Sequence, residues 1–200
     1  MLVGPGNYFK GTGADLIRAR ALFGVGSLLL ILTLLVFLSA AANPDGSREA
    51  QEAFLERIQA DPTLLPEAGI PFSSLFFGVY WSLLLALVGP VRYLMLRILG
   101  EKEPALSLAY YISLHGAIPM LLVGALIAMT GNLFPPGLPT PGDTGLTRVV
   151  LTAIVSIGGL LWEVFISSSG FRVHYDQNWG RAVLTALVPW LVLFQILVLA

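Results

Sequence analysis

The 200-residue chain contains no cysteine, which excludes disulfide scaffolds, thiolate metal sites, catalytic thiols and palmitoylation. Charged residues are also scarce: they make up 12% of the chain, against about a quarter in an ordinary soluble domain. So few charges cannot coat a compact water-soluble surface, and a net charge of -1 provides no basic face for nucleic acid. We therefore expect neither a soluble globular domain nor a nucleic-acid partner.

Hydrophobic residues make up 56% of the chain and form five long apolar stretches. Each is long enough to cross a bilayer, because about 20 helical residues span a hydrocarbon core roughly 30 Å thick. The sequence therefore predicts an all-α, polytopic membrane helix bundle with five transmembrane helices and no separate soluble domain. The five spans are predicted over residues 21–42, 70–91, 105–129, 149–171 and 182–200, after a leader over residues 1–20.

The positive charges predict the orientation of these spans, since Lys and Arg concentrate in cytoplasmic loops. Three lie in the leader, three after the second span and two after the fourth, which gives eight on the side of the leader. The opposite side holds three, namely Arg48, Arg57 and Arg148. We expect a cytoplasmic N-terminus and an external C-terminus, and the odd number of spans agrees with this.

The two external loops differ in character. The first is acidic and repeats apolar residues every four positions, which predicts an amphipathic helix over residues 48–60, capped by Asp45 or Ser47. Such a helix can lie on the membrane surface or bind a partner. The second loop, residues 132–145, contains four prolines and is typical of a stiff, extended connector.

Two ionisable side chains lie inside the predicted spans, His115 in the third and Glu163 in the fourth. Because buried polar groups are costly in lipid, each is a candidate functional residue. The predicted topology puts them at similar depths, so an imidazole–carboxylate pair can serve as a proton relay or substrate site. The alternative is structural: an interhelical hydrogen bond, or a Glu163 neutralised by Arg92, Arg97 or Arg172. One acid and one histidine are too few for a metal centre, and no motif indicates a cofactor.

Prolines and small residues interrupt the spans. Pro119 lies four residues after His115, and Pro189 lies within the last span. Broken helices mark binding sites in some transporters, whereas a membrane proline is more often a packing kink. Gly124 and Ala128 have the small-residue spacing that lets a neighbouring helix approach.

The connection before the last span carries aromatic and charged residues in a short cytoplasmic turn. They are Arg172, His174, Asp176, Trp179 and Arg181. Aromatic anchors and arginines are expected at a membrane interface in any case, but lipid head groups or a protein partner would also meet this turn first. No hydrolase elbow, zinc-protease motif or nucleotide-binding loop is present in the sequence.

The layout resembles the YIP1 family of five-span membrane proteins. The residues that carry the resemblance extend from about Phe72 onward: Gly100-Glu101-Lys102, then Leu106-Ser107-Leu108-Ala109-Tyr110-Tyr111 with Pro119, and finally Val173-His174 with Arg181-Ala182. The resemblance implies a cytoplasmic N-terminus and a non-enzymatic role in membrane organisation or trafficking. We expect a scaffold or partner subunit that binds other membrane proteins within the lipid bilayer. The alternative is a small proton-coupled transporter that uses His115 and Glu163. The excess of arginine over lysine favours a GC-rich bacterial genome, and hence a bacterial inner membrane.

Overall fold

The computed structural model of the protein describes residues 4–11, 13–57, 72–134 and 145–199. Almost all of these residues are helical and none of them forms a strand, which confirms the predicted all-α class. A π-helical segment spans Ala21–Val25. The helices are α1 Pro5–Lys10, α2 Ala14–Arg20, α3 Gly26–Ala42, α4 Pro44–Arg57, α5 Phe72–Ile98, α6 Leu106–Gly116, α7 Ile118–Leu133, α8 Gly145–Tyr175 and α9 Trp179–Leu199.

Among the described residues, three stretches of helix are long and apolar enough to cross a membrane: Asp15–Ala42, Phe77–Ile98 and Val149–Tyr175. The α6–α7 pair passes the same test as a fourth span, with a bend of 43° between its two helices. In α9 the apolar stretch is shorter, Trp179–Leu193. Large apolar side chains are exposed along these helices, as expected of surfaces that face lipid. Examples are Phe23, Leu83, Ile154 and Leu161.

The first and third predicted spans differ from the helices observed. Helical structure extends back into the leader, so that the first membrane-length helix begins at Asp15 rather than at residue 21. The third span is broken, because α6 ends at Gly116 and Pro119 is the second residue of α7. Proline has no N–H to donate to the carbonyl of His115, and its ring crowds that carbonyl, so a continuous helix is disfavoured here.

The amphipathic helix of the first loop, α4, begins at Pro44, four residues before the predicted start. Its cap was predicted wrongly: the side chain that accepts a hydrogen bond from the first turn belongs to Asn43, whose Oδ1 lies 3.2 Å from the backbone nitrogen of Gly46. Asparagine is a preferred N-cap, and proline fits the first helical position. Residues 58–60 of the predicted helix and residues 135–144 of the predicted connector lie outside the described residues.

The chain divides into two compact units. The first comprises residues 1–27, 82–120 and 159–200. Its hydrophobic core contains Phe9, Ile17, Leu96, Ala109, Ile112, Ile166, Phe171 and Ala182. Because Phe9 belongs to α1 and Ile17 to α2, both short helices of the leader are packed into this core.

The second unit comprises residues 28–81 and 121–158. Asn132 of α7 is buried and donates hydrogen bonds through Nδ2 to Ser39 Oγ at 3.0 Å and to the carbonyl of Val36 at 3.3 Å. These bonds join α7 to α3. Gly124 gives α5 room to approach α7, since a Cβ at this position would lie 2.6 Å from Trp81 Cζ2.

Candidate functional site

A buried ion pair lies in the first unit, between Arg92 of α5 and Glu163 of α8. Arg92 Nη2 donates to Glu163 Oε1 at 2.5 Å, and neither side chain is accessible to solvent. The same guanidinium donates to Ser167 Oγ at 2.9 Å through Nη1 and to the carbonyl of Ala186 at 2.9 Å through Nη2. Arg92 therefore connects α5 to both α8 and α9.

Two further side chains donate hydrogen bonds to the Glu163 carboxylate. Ser167, one helical turn later on α8, donates to Oε1 at 2.7 Å. Trp190 of α9 donates through Nε1 to Oε2 at 2.8 Å, and its side chain is 1% exposed. We call Arg92, Glu163, Ser167 and Trp190 the arginine–glutamate cluster.

The chemistry of this cluster favours a structural role. A charge buried in lipid is stabilised by an opposite charge and by hydrogen bonds to its polar atoms. Glu163 accepts bonds from three side chains and Arg92 supplies the opposite charge, while the buried Nε of Arg92 has no hydrogen-bond partner among the described residues. The guanidinium also lies 5.9 Å from the centroid of the Phe171 ring. The cluster thus neutralises both charges and fixes three helices to one another, as one of the structural alternatives anticipated.

His115 has a different set of partners from Glu163. Its Nε2 lies 3.0 Å from the hydroxyl of Tyr8, and its Nδ1 lies 2.9 Å from the carbonyl of Tyr111. A carbonyl can only accept, so Nδ1 carries the proton, and in the neutral ring Nε2 then accepts from the Tyr8 hydroxyl. No hydrogen bond joins His115 to Glu163 among the described residues, although the next residue, Gly116, lies against the carboxylate.

The two prolines named from the sequence lie in different settings. Pro119 is near the start of α7, directly after the 43° bend. Pro189 lies inside α9, next to Trp190 of the arginine–glutamate cluster. The groups of α9 that reach the cluster are the Trp190 indole and the carbonyl of Ala186, which the sequence alone did not indicate.

In the turn between α8 and α9, Arg172 and Trp179 contact each other directly. The Arg172 guanidinium lies 4.2 Å from the centroid of the Trp179 ring, a cation–π contact. Asp176, the first residue after α8, has a φ of 47°, in the left-handed region that Asp tolerates better than most residues. The contact of Arg172 with Trp179 thus joins the end of α8 to the start of α9.

Arg181 and His174 connect this turn to other elements of the first unit. Arg181 donates to the carbonyl of Leu99 and forms an ion pair with Glu101 at 3.6 Å. His174 packs edge-on against the Phe9 ring, with 6.0 Å between ring centroids. Arg181 and His174 thus contact elements outside the turn, whereas Arg172, Asp176 and Trp179 line one cavity of the first unit.

Three residues of the site were not predicted: Tyr8, Ser167 and Trp190. Ser167 follows Glu163 by four residues, a spacing that puts both on one helix face and was visible in the sequence. Tyr8 and Trp190 gave no comparable signal, because their contacts join residues far apart in the chain. No group of three or more His, Asp or Glu side chains that could hold a metal occurs in the described part of the chain.

Comparison with known proteins identifies one family. The family model described as Yip1 domain matches residues 13–200. This match confirms the resemblance found in the sequence and extends it to α2 and α3. Neither the curated proteins nor the solved structures include a significant match.

Proposed function

The chain belongs to the Yip1 family, and from that premise we propose that it is a non-enzymatic scaffold or partner subunit that organises other membrane proteins. Its family and its apolar helices make it a multi-pass membrane protein. The proposed role requires a stable helix bundle whose outer faces are available to partners. It requires no open site for a substrate.

We also propose five spans, with the N-terminus in the cytoplasm and the C-terminus outside. The spans are Asp15–Ala42, α5, the bent α6–α7 pair, α8 and α9. Support comes from the excess of positive charge on the side of the leader and from the length of α9, which has 21 residues. A bacterial inner membrane fits the arginine bias. A reporter enzyme fused after Ala200 tests the topology, since activity inside the cell would contradict it.

The observation that best supports a scaffold is that the ion pair of the arginine–glutamate cluster is closed to solvent. A transport residue must exchange protons or ligands with water at some stage. Glu163 instead has three side-chain donors and no accessible surface. Its environment is that of a structural residue whose contacts hold helices together.

Proton flux in liposomes separates the scaffold from the alternative of a proton-coupled transporter. The purified chain is reconstituted into vesicles that contain a pH-sensitive dye, and a pH gradient is applied. We expect acidification at the rate of protein-free vesicles. Faster acidification that Glu163→Gln or His115→Ala abolishes would show transport and would overturn the scaffold.

In-membrane cross-linking tests partner binding directly. Leu161 of α8 is exposed, whereas Ile166 of the same helix is buried. A photoreactive amino acid at Leu161 should give discrete cross-links to other membrane proteins in intact cells, and one at Ile166 should not. If exposed positions on every span give cross-links to lipid alone, the protein is not a scaffold.

A further inference from the structure

A cavity of about 460 Å³ opens on the first unit beside the end of α8. Lys10 of α1 and Arg172 of α8 contribute positive charge to its lining, and Asp176 contributes one negative charge. Phe165 and Trp179 contribute aromatic surface. None of these five residues takes part in the arginine–glutamate cluster, so the proposed scaffold role does not account for the cavity.

The polar end of the cavity suits a phosphate group. Both Lys10 and Arg172 are exposed, and among the described residues neither forms an ion pair with a carboxylate. With Asp176 included, the lining has a net charge of +1. Asn7 of α1 adds an amide that can donate to an oxygen. An anion of charge -1 would therefore leave the cavity neutral.

Another part of the cavity lining is aromatic and exposed. Phe165 and Trp179 stack with 6.2 Å between ring centroids and an angle of 7° between ring planes. Their side chains are 48% and 45% exposed. Phe165 precedes Arg172 by seven residues, which is about 10 Å along the helix. Trp179 joins the aromatic part of the lining to the cationic part, since its ring centroid lies 4.2 Å from the Arg172 guanidinium.

We propose that this cavity binds one anionic phospholipid, with its phosphate at Lys10 and Arg172 and its acyl chain against Phe165 and Trp179. The Asp176 carboxylate then accepts a hydrogen bond from a head-group hydroxyl, as in phosphatidylglycerol. A soluble phosphate ester matches the polar end only, and the exposed aromatic pair favours the lipid. This proposal rests on the membrane location of the chain and not on the scaffold role.

Lipid binding to the detergent-solubilised full chain tests the proposal. Short-chain phosphatidylglycerol is titrated and the retained adduct is measured by native mass spectrometry. Phosphatidylcholine of the same chain length and glycerol 3-phosphate provide the comparison arms. We expect phosphatidylglycerol to bind at least fivefold more tightly than phosphatidylcholine, and glycerol 3-phosphate not to compete. Equal affinity for the two lipids, or competition by glycerol 3-phosphate, would overturn the proposal.

Charge variants locate the site. Because one cation near an anionic lipid contributes about 1 kcal/mol, Lys10→Gln and Arg172→Gln should each weaken binding roughly fivefold. Arg172→Lys should retain most of the affinity. Lys102→Gln removes an exposed charge outside the cavity and serves as the control. Circular dichroism shows whether each variant is folded. If folded Lys10→Gln/Arg172→Gln protein binds phosphatidylglycerol as tightly as the Lys102→Gln control, the cavity is not a lipid site.

Discussion

No side chain fits between Gly116 of α6 and Ser167 of α8. A Cβ on Gly116 would overlap Ser167 Oγ and would lie 2.9 Å from Glu163 Oε1. Ser167 Oγ donates to Glu163 and accepts from Arg92, so an atom that displaces it disturbs two bonds of the arginine–glutamate cluster. The end of α6 is therefore packed directly against the buried charges, at the point where the α6–α7 pair bends.

This contact predicts that Gly116→Ala destabilises the protein. The added methyl must push Ser167 aside, and such overpacking costs about 1–3 kcal/mol in a well-packed core. The measurement is thermal unfolding of purified protein in detergent. Gly158→Ala is the matched control, because a Cβ there meets open space and alanine is the better helix former. Equal unfolding temperatures for the two variants would contradict the close approach of α6 to α8.

The buried ion pair predicts strong and non-additive effects of charge removal. Glu163→Gln leaves the buried Arg92 cation without a counter-ion, and Arg92→Gln does the same to the carboxylate. Each should reduce the free energy of unfolding by about 3–5 kcal/mol. The double variant should lose less than the sum of the two single variants, because it leaves no unpaired charge. Equilibrium unfolding of the three variants tests this coupling.

An exposed ion pair in the second unit provides the control for that experiment. Arg48 and Glu52 of α4 lie 3.0 Å apart, with side chains that are 79% and 51% exposed. Removing the charge in Arg48→Gln should change the free energy of unfolding by no more than about 1 kcal/mol. A comparable loss of unfolding free energy in Arg48→Gln and Arg92→Gln would mean that burial does not determine the contribution of Arg92.

The sequence predicts that Glu163 needs a partner, but not which one. A charge in an apolar stretch has to be neutralised, and Arg92 was one of three arginines considered. The choice among them depends on how α5 and α8 are rotated about their axes, which hydropathy does not specify. Equal depth suggested His115 as a partner, yet depth does not decide which face of α6 the imidazole occupies. Spacing along a single helix was more informative, as for Ser167 after Glu163.

The bond between Tyr8 and His115 predicts that the Tyr8 hydroxyl helps to hold the leader in place, in addition to the packing of Phe9 and Ile17. Tyr8→Phe keeps the ring and removes the donor to His115 Nε2. A hydrogen bond of this kind contributes about 1 kcal/mol, so amide hydrogen exchange in α1 should become roughly fivefold faster. Tyr93→Phe is the control, since the hydroxyl of Tyr93 accepts from the exposed side chain of Arg97. Unchanged exchange in α1 would show that Phe9 and its neighbours suffice to hold the leader.

Asn132 predicts a second stabilising site, which lies in the second unit. Asn132→Ala removes the bonds to Ser39 and to the carbonyl of Val36, which join α7 to α3. Polar contacts between membrane helices contribute about 0.6–2 kcal/mol, so we expect a loss in that range on thermal unfolding. Thr130→Ala is the control: Thr130 Oγ1 donates at 2.7 Å to the carbonyl of Leu126 on its own helix, and its loss separates no helices. A greater loss for Thr130→Ala than for Asn132→Ala would show that helix pairing in this unit depends on apolar packing rather than on the buried amide.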